Sequence, residues 1–407
     1  MNDNVSVTVK KGLCCSCGLC SNYCPKDAIT YRIDSLGFYI PVINRESCIN
    51  CGKCLQACPG YNDLKDYNNK REYFCYGYSM NDEMRISASS GGITTELLCY
   101  LINHKYVDYV TCVTNRTSRH LPEQILTNDI NVIQESRTSK YCPIQWNDII
   151  TQIENVNGTV AIVALPCQIN SIKKYFSKKK HNIKYYISLL CNHTPSLNAT
   201  SFLAKAIDKR SSIKSVIYRG KGFPGYMTLN LNIDKDLTVR EYRLPYRQTW
   251  ASGFGLYFKN RRCSICNDPF SKNADIVMGD SYFLQDVDNK GTTFCIIRNQ
   301  YIKNILNKMK EESLIDLCEG PDEKTRQKYY KVLFDKEKDF QRKNSILSIF
   351  GKSVLSPIKS NNNHYSFKEI KYFYQDLFFQ SIGKYHFLWK YYAKKNNVRG
   401  LIINKKQ

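Results

Sequence analysis

Two stretches decide how the first part of this chain is read: Cys14-Cys15-Ser16-Cys17-Gly18-Leu19-Cys20-Ser21-Asn22-Tyr23-Cys24-Pro25 and Cys48-Ile49-Asn50-Cys51-Gly52-Lys53-Cys54-Leu55-Gln56-Ala57-Cys58-Pro59. Cys14, Cys17, Cys20 and Cys24 spell C-x2-C-x2-C-x3-C-P, and Cys48, Cys51, Cys54 and Cys58 spell it again with every position offset by 34. The offset marks a duplicated unit.

Thiolates two residues apart on a tight loop can reach three corners of an iron-sulfur cubane, and the fourth corner needs a more distant residue. In this bacterial ferredoxin spacing the fourth cysteine of each run serves the other cluster. One [4Fe-4S] cluster is therefore expected on Cys14, Cys17, Cys20 and Cys58, and a second on Cys48, Cys51, Cys54 and Cys24. Paired C-x2-C also suits tetrahedral zinc, but zinc has no use for the interleaved run with proline, twice over. Gly18 and Gly52 occupy matching positions where backbone can approach a cluster closely. The segment from Ala28 to Val42 has β-type alternation around a turn at Asp34 to Gly37. Cys15 fits neither template and reads as a spare thiol beside the cluster.

Composition agrees with a redox reading. Of 19 cysteines, nine fall between Cys14 and Cys58, too uneven and too sparse for a disulfide-stapled scaffold. The N-terminal Met1 to Gly12 has no apolar core of a secretory signal, and no run of about 18 apolar residues occurs. A cytoplasmic, reduced protein is expected, in which thiolates bind metal. A length of 407 with 43% hydrophobic residues excludes wholesale disorder, and a formal charge of +23 calls for acidic partners or cofactors. No module for nucleic-acid readout is visible, so no nucleic-acid partner is expected.

From residue 76 onward strands alternate with helices. Strands are expected at Val107 to Val113, Thr159 to Leu165, Tyr185 to Leu190, Ile213 to Tyr218 and Ala274 to Met278. Helices are expected at Ile93 to Asn103, Gln168 to Tyr175 and Leu197 to Ile207. This pattern argues an α/β domain with a largely parallel sheet, with Met227 to Ile233 alternating as an antiparallel strand. Cys167 and Cys191 each follow a strand, at the carboxyl edge where open α/β sheets bind ligands. With the C-x2-C pair Cys263 and Cys266 they would complete a third four-thiolate site, although Cys167 and Cys191 singly suit core packing. Cys75, Cys99, Cys112, Cys142, Cys295 and Cys318 read as core filler. Ser89-Ser90-Gly91-Gly92 opens a helix and suits either a phosphate cradle or an ordinary cap.

These features, in order, resemble the family of the coenzyme F420 hydrogenase/dehydrogenase beta subunit, in the form with a fused N-terminal dicluster ferredoxin domain. The resemblance rests on the doubled cysteine motif, S-S-G-G at Ser89 to Gly92 and S-K-Y at Ser139 to Tyr141. P-C-Q at Pro166 to Gln168, Cys191 with Pro195-Ser196, the Cys263/Cys266 pair and A-D-I-x-x-G-D at Ala274 to Asp280 complete it. It implies an iron-sulfur flavoprotein with FAD, a third [4Fe-4S] cluster on Cys167, Cys191, Cys263 and Cys266, and flavin contacts from Ser89, Ser90, Gly91, Gly92, Ser139 and Lys140. Two departures bear on substrate: Ala164-Leu165 precedes Pro166 where the family commonly has G-T, and Asn192-His193 follows Cys191 where it has H-G. Substrate identity therefore carries over poorly, and because members of the resembled family with this single-chain layout also occur with polysaccharide-building enzymes, the resemblance implies a deazaflavin or another metabolite as substrate, one of polysaccharide biosynthesis included.

The fold class is α+β: a dicluster ferredoxin domain over residues 1–62, a linker over 63–75, a flavin-binding α/β domain over 76–345 and a basic, aromatic-rich helical tail over 346–407. The tail holds 11 Lys and Arg against Glu369 and Asp376. A docking helix against the α/β domain is favoured over a peripheral membrane contact. Two functions are weighed. In the first, electrons enter the ferredoxin domain singly and leave through FAD as a hydride to a small molecule, an electron donor or acceptor protein (ferredoxin-like or reductase) being the expected partner, with Arg219, Lys221, Asp280 and His193 as catalytic contacts, His193 as proton donor. In the second, the chain is a non-enzymatic electron-transfer subunit of a larger complex.

Overall fold

Asp34 sets the first hairpin, because its carboxylate accepts from the backbone N–H of Leu36 at 3.0 Å and of Phe38 at 2.9 Å. β1 (Ile29–Ile33) and β2 (Tyr39–Ile43) then pair antiparallel across that turn, as the alternation predicts. We describe this from a computed structural model of the chain, which covers residues 4–62, 71–114, 121–220, 222, 224–233, 238–281, 288–352 and 367–403. Most of the expected linker, and Lys221, lie outside the described residues.

The strands that follow are β3 (Tyr73–Ser79), β4 (Tyr109–Thr114), β5 (Glu123–Thr127), β6 (Val160–Ala164) and β7 (Ile183–Leu189). After them come β8 (Ser212–Gly220), β9 (Tyr226–Asn232), β10 (Val239–Pro245), β11 (Ile276–Asp280), β12 (Thr293–Ile297) and β13 (Ile315–Glu319). Eight of these form one sheet in the order β13-β3-β12-β11-β7-β6-β4-β5. Successive side chains of a strand point to opposite faces, and β6 shows it: Val160, Ile162 and Ala164 join one core and Ala161 the other. The first core packs under the helices Asn147–Asn155 and Pro166–Phe176, the second under Ile93–Asn103 and Gln300–Glu311. The result is helix, sheet, helix.

The sheet is mixed, which corrects the expectation of a largely parallel one. β4, β6, β7 and β11 run parallel, whereas β13, β3 and β12 on one flank and β5 on the other are antiparallel. Periodicity reports burial and not direction, so it is silent on these flanking strands. The strand expected at Ile213 to Tyr218 forms as β8 but leaves this sheet. It pairs with β9, and β9 with β10, in a separate antiparallel sheet.

That smaller sheet shares a core with the helix Leu197–Ile207 and with the C-terminal helix His386–Lys395 through Phe202, Leu203, Leu229, Leu244, Phe258 and Trp389. Trp389 is 4% exposed and meets Phe202 and Phe258 edge-on at 6.1 and 5.7 Å between ring centres. The helix Glu323–Ile349 runs without a break through the boundary expected at residue 345. Among the described residues no helix is long and apolar enough to cross a membrane. Cys75, Cys99, Cys112, Cys142 and Cys295 are buried, as expected of core filler, but Cys318 is exposed on the edge strand β13.

Candidate redox site

The eight N-terminal thiols divide between two cavities. Cys14, Cys17, Cys20 and Cys58 line the first, with about 370 Å³ of space counting its open mouth. Cys24, Cys48, Cys51 and Cys54 line the second, with about 330 Å³. Cys54 borders both, so the cavities are neighbours. The fourth cysteine of each run has crossed to the other run's cavity, the exchange expected from the spacing. N–H groups turn toward the sulfurs: Ser16 N–H to Cys14 Sγ at 3.4 Å, Ala28 N–H to Cys24 Sγ at 3.3 Å and Asn4 Nδ2 to Cys48 Sγ at 3.7 Å.

The motif thiols surround each chamber from several sides. Burial, followed by repulsion from Cys58, pushes the Cys14 thiol up to about 12. Burial likewise raises Cys17 and Cys20. Thiolates packed this way require a cationic group among them, which is what iron provides.

Gly18 lines the first cavity, and it also faces the α/β domain. Its φ of +73° is left-handed, and a Cβ there would meet Gln145 Cβ at 3.1 Å and Trp146 N at 3.2 Å. Close backbone approach to that domain is thus a second reason for glycine at this position.

The ferredoxin loops are joined directly to that domain. The Trp146 N–H donates to Cys17 O at 3.0 Å, Tyr23 OH to Ser171 O at 2.6 Å and Asn260 Nδ2 to Cys14 O at 3.0 Å. Cys15, read as a spare thiol, is close enough to Cys167 for the two thiols to shift each other's ionisation, Cys15 upward and Cys167 downward. The motif could not show this, because the contact joins positions far apart in the chain.

Cys167 lies in the first turn of Pro166–Phe176, after β6, and Cys191 follows β7, so the parallel pairing of β6 and β7 sets both at one sheet edge. The short helical turn Arg261–Ile265 brings Cys263 and Cys266 to them. The four are near neighbours: after burial, the causes that raise Cys191 are Cys263, Cys167 and Cys266 in turn. Burial and then Cys266 push Cys263 up to about 12. The donor set and its crowding fit a third cluster.

Asp280 ends β11, the next strand along the same edge. Its carboxylate accepts from Arg219 Nη1 at 2.5 Å, with the two side chains 9% and 2% exposed. Arg219 also donates from Nε to Pro224 O at 3.1 Å and lies over the Tyr246 ring at 4.7 Å. The serine-glycine loop sits on this edge too. Ser90 Oγ donates to Thr292 O at 2.9 Å and to Gly279 O at 3.3 Å, and Ser89 Oγ donates to Arg219 O at 3.4 Å. Ser89 Oγ in turn accepts from the Ser139 N–H at 2.7 Å. Gly92 has φ +83° and is the N-cap of Ile93–Asn103, while the Gly91 N–H is held by Thr293 Oγ1 at 2.9 Å.

Two of the expected site residues are engaged within the chain. The Lys140 ammonium donates to the carbonyls of Ser136 at 2.5 Å, Thr138 at 2.9 Å and Arg137 at 3.1 Å. An ammonium has three N–H bonds, so Lys140 closes its own loop in this structure. His193 is buried beside Trp250, with ring centres 5.0 Å apart. Burial, then Lys259 and Lys336, lower its pKa to about 3, which favours the neutral imidazole.

Comparison with known proteins places these features. Residues 74–151 match the N-terminal model, and residues 157–323 the C-terminal model, of coenzyme F420 hydrogenase/dehydrogenase, beta subunit; residues 13–61 match the 4Fe-4S dicluster domain. The chain is 26% identical, over 83% of its length, to coenzyme F420-dependent sulfite reductase of Methanocaldococcus jannaschii, and covers 52% of that protein. It is 22% identical, over 54% of its length, to the F subunit of F(420)H(2) dehydrogenase from Methanosarcina mazei, covering 66% of it. The chain thus spans about half the length of the first of these relatives and about two thirds of the second. A chain of the F420-reducing [NiFe] hydrogenase complex from Methanosarcina barkeri shares the fold, with a TM-score of 0.53 and 18% identity over 72% of this chain and 98% of that one.

Proposed function

Because the chain belongs to the family of the coenzyme F420 hydrogenase/dehydrogenase beta subunit, and carries a 4Fe-4S dicluster domain ahead of the family's own residues, we propose that it is an oxidoreductase moving electrons between a partner protein and a hydride-accepting small molecule. When bound, three [4Fe-4S] clusters and FAD supply one-electron relay and its conversion to hydride chemistry. The observation that carries this reading is the continuity of thiols: two cavities share Cys54, and the first reaches Cys167 through Cys15.

The chain's own residues have separable parts in this scheme. Cys24, Cys48, Cys51 and Cys54 would hold the outermost cluster, since Cys51 is exposed where a partner can approach. Cys14, Cys17, Cys20 and Cys58 would hold the middle one, and Cys167, Cys191, Cys263 and Cys266 the innermost. Ser89, Ser90, Gly91, Gly92 and Ser139 form the loop edge proposed to receive FAD, supported by their position along the β11 edge beside Cys191. The Arg219–Asp280 pair holds that edge from beneath through the Ser89 bond to Arg219 O.

A deazaflavin is the first substrate to test, because the sulfite reductase and dehydrogenase relatives are both named for coenzyme F420. Those names also favour a second reading. One relative is a subunit, and this chain spans only part of each, so a relay role within a complex is the alternative. Protein isolated without oxygen, reduced by a viologen dye and mixed with deazaflavin separates the two. Extractable FAD with loss of deazaflavin absorbance supports the enzyme; cluster signals without flavin support the relay.

A further inference from the structure

The second arginine of Asn260-Arg261-Arg262-Cys263 has an unusual position. Arg262 is 8% exposed. Its Nε donates to Gly60 O at 3.1 Å and Nη2 to Pro59 O at 3.4 Å, on the loop directly after Cys58. Its Nη1 donates to Ile265 O at 2.9 Å, directly before Cys266. The Arg262 N–H is fixed by Asn260 Oδ1 at 2.9 Å, and the same Asn260 side chain donates to Cys14 O at 3.0 Å. One guanidinium therefore joins the loops that carry Cys58 and Cys266, members of two different thiol sets.

Its charge has no ordinary partner. The bonds go to carbonyls, and among the described residues Arg262 takes part in no ion pair. A buried cation without a counter-charge is costly. What surrounds it is sulfur: its field favours the thiolate forms of Cys58, Cys266, Cys167 and Cys15. In the outer chamber the charges that bear most on Cys54 are instead its own neighbours, Cys24 and Cys51. An anionic four-thiolate cluster on each side of Arg262 would supply the missing negative charge, and a nearby cation eases the addition of an electron to such a cluster.

We propose that Arg262 is a positioning residue shared by two clusters, holding the Cys58 and Cys266 loops together and raising the reduction potential of the middle and innermost clusters as a pair. This inference rests on the three-cluster reading given above. Arg261 provides the control, for it is exposed and its Nη2 bonds Ser381 Oγ at 2.8 Å, so removing its charge leaves the chambers alone.

The test is a potentiometric titration followed by electron paramagnetic resonance on anaerobically isolated full-length wild type, Arg262→Gln and Arg261→Gln. Signals are assigned to clusters with Cys51→Ser and Cys263→Ser. In Arg262→Gln the middle and innermost clusters titrate at more negative potential, and the outer cluster stays at its wild-type value; Arg261→Gln shifts none of them. Unchanged potentials in Arg262→Gln, or a shift of equal size at all three clusters, overturn the proposal. If Arg262→Gln fails to keep the innermost cluster, its middle cluster is compared with that of Cys263→Ser, which lacks the same cluster but retains the arginine. A more negative value in Arg262→Gln supports the proposal and an equal value overturns it. A wild type with iron for two clusters only is a different result, and refutes the three-cluster reading itself.

Discussion

The thiols of Cys15 and Cys167 are close enough to shift each other's ionisation, bringing the first ferredoxin loop against the turn after β6. The two share no sequence motif. Together they link the middle chamber to the thiol set of Cys167, Cys191, Cys263 and Cys266, and they define what each cysteine should do on substitution.

Cys15 touches the chain of thiols without completing a set of four. Replacing it, Cys15→Ser, is expected to leave iron and acid-labile sulfide per chain at wild-type values, whereas Cys17→Ser removes one cluster's share. Colorimetric iron and sulfide assays on the two variants check this. Loss of a whole cluster in Cys15→Ser would mean that the assignment of the middle cluster is wrong.

Cys263 is expected to belong to the third set. In Cys263→Ser, iron should fall by about four atoms per chain, one cubane's worth, while the signals of the two ferredoxin-type clusters persist. Iron content equal to wild type retires the third site.

The Arg219–Asp280 pair is buried on both sides. Removing one partner strands the other charge in the interior, which costs about 3–5 kcal/mol. Arg219→Met should therefore lower the melting temperature markedly, and Arg219→Met with Asp280→Leu should recover much of the loss. A single variant as stable as wild type contradicts the geometry.

Burial lowers the Lys140 pKa to about 8 in the folded protein, against about 10.4 when solvated. Between those values the unfolded chain binds more protons, so this group's contribution to stability rises with pH across that window and is flat below it. The lysine thus penalises the fold at neutral pH relative to pH 10. Chemical denaturation of wild type and Lys140→Met should show the wild type gaining on the variant from pH 8 to pH 10. A constant difference would show that the ammonium is not desolvated.

Trp389 fixes the C-terminal helix against Phe202 and Phe258. Trp389→Ala opens a cavity in that core and should cost about 3–5 kcal/mol, read as a drop in unfolding midpoint. An unaffected midpoint would mean that the helix is not docked.

The cysteine spacing makes the two outer chambers legible, because ligand geometry is local and is written into intervals of two and three residues. The helices Ile93–Asn103 and Leu197–Ile207 are legible to the residue, since Gly92 and Ser196 stop the chain where apolar periodicity begins. Strand direction is not legible. β12 pairs antiparallel with β11 and β3 through a register such as Cys295 opposite Cys75, and nothing in alternation reports that choice. The roles of Lys140 and His193 escape the sequence for a related reason: both are polar residues beside motif positions, and only the fold reveals that one is consumed by three carbonyls and the other is buried against Trp250. Arg262 beside Arg261 makes the same point, since adjacent identical residues differ wholly in exposure.

The most direct measurement is the content of iron, acid-labile sulfide, zinc and flavin in the full chain purified without oxygen. Three clusters and one flavin predict about twelve iron and twelve sulfide per chain, one FAD, and no stoichiometric zinc. A colourless preparation holding zinc in place of iron and sulfide would contradict the account at its root.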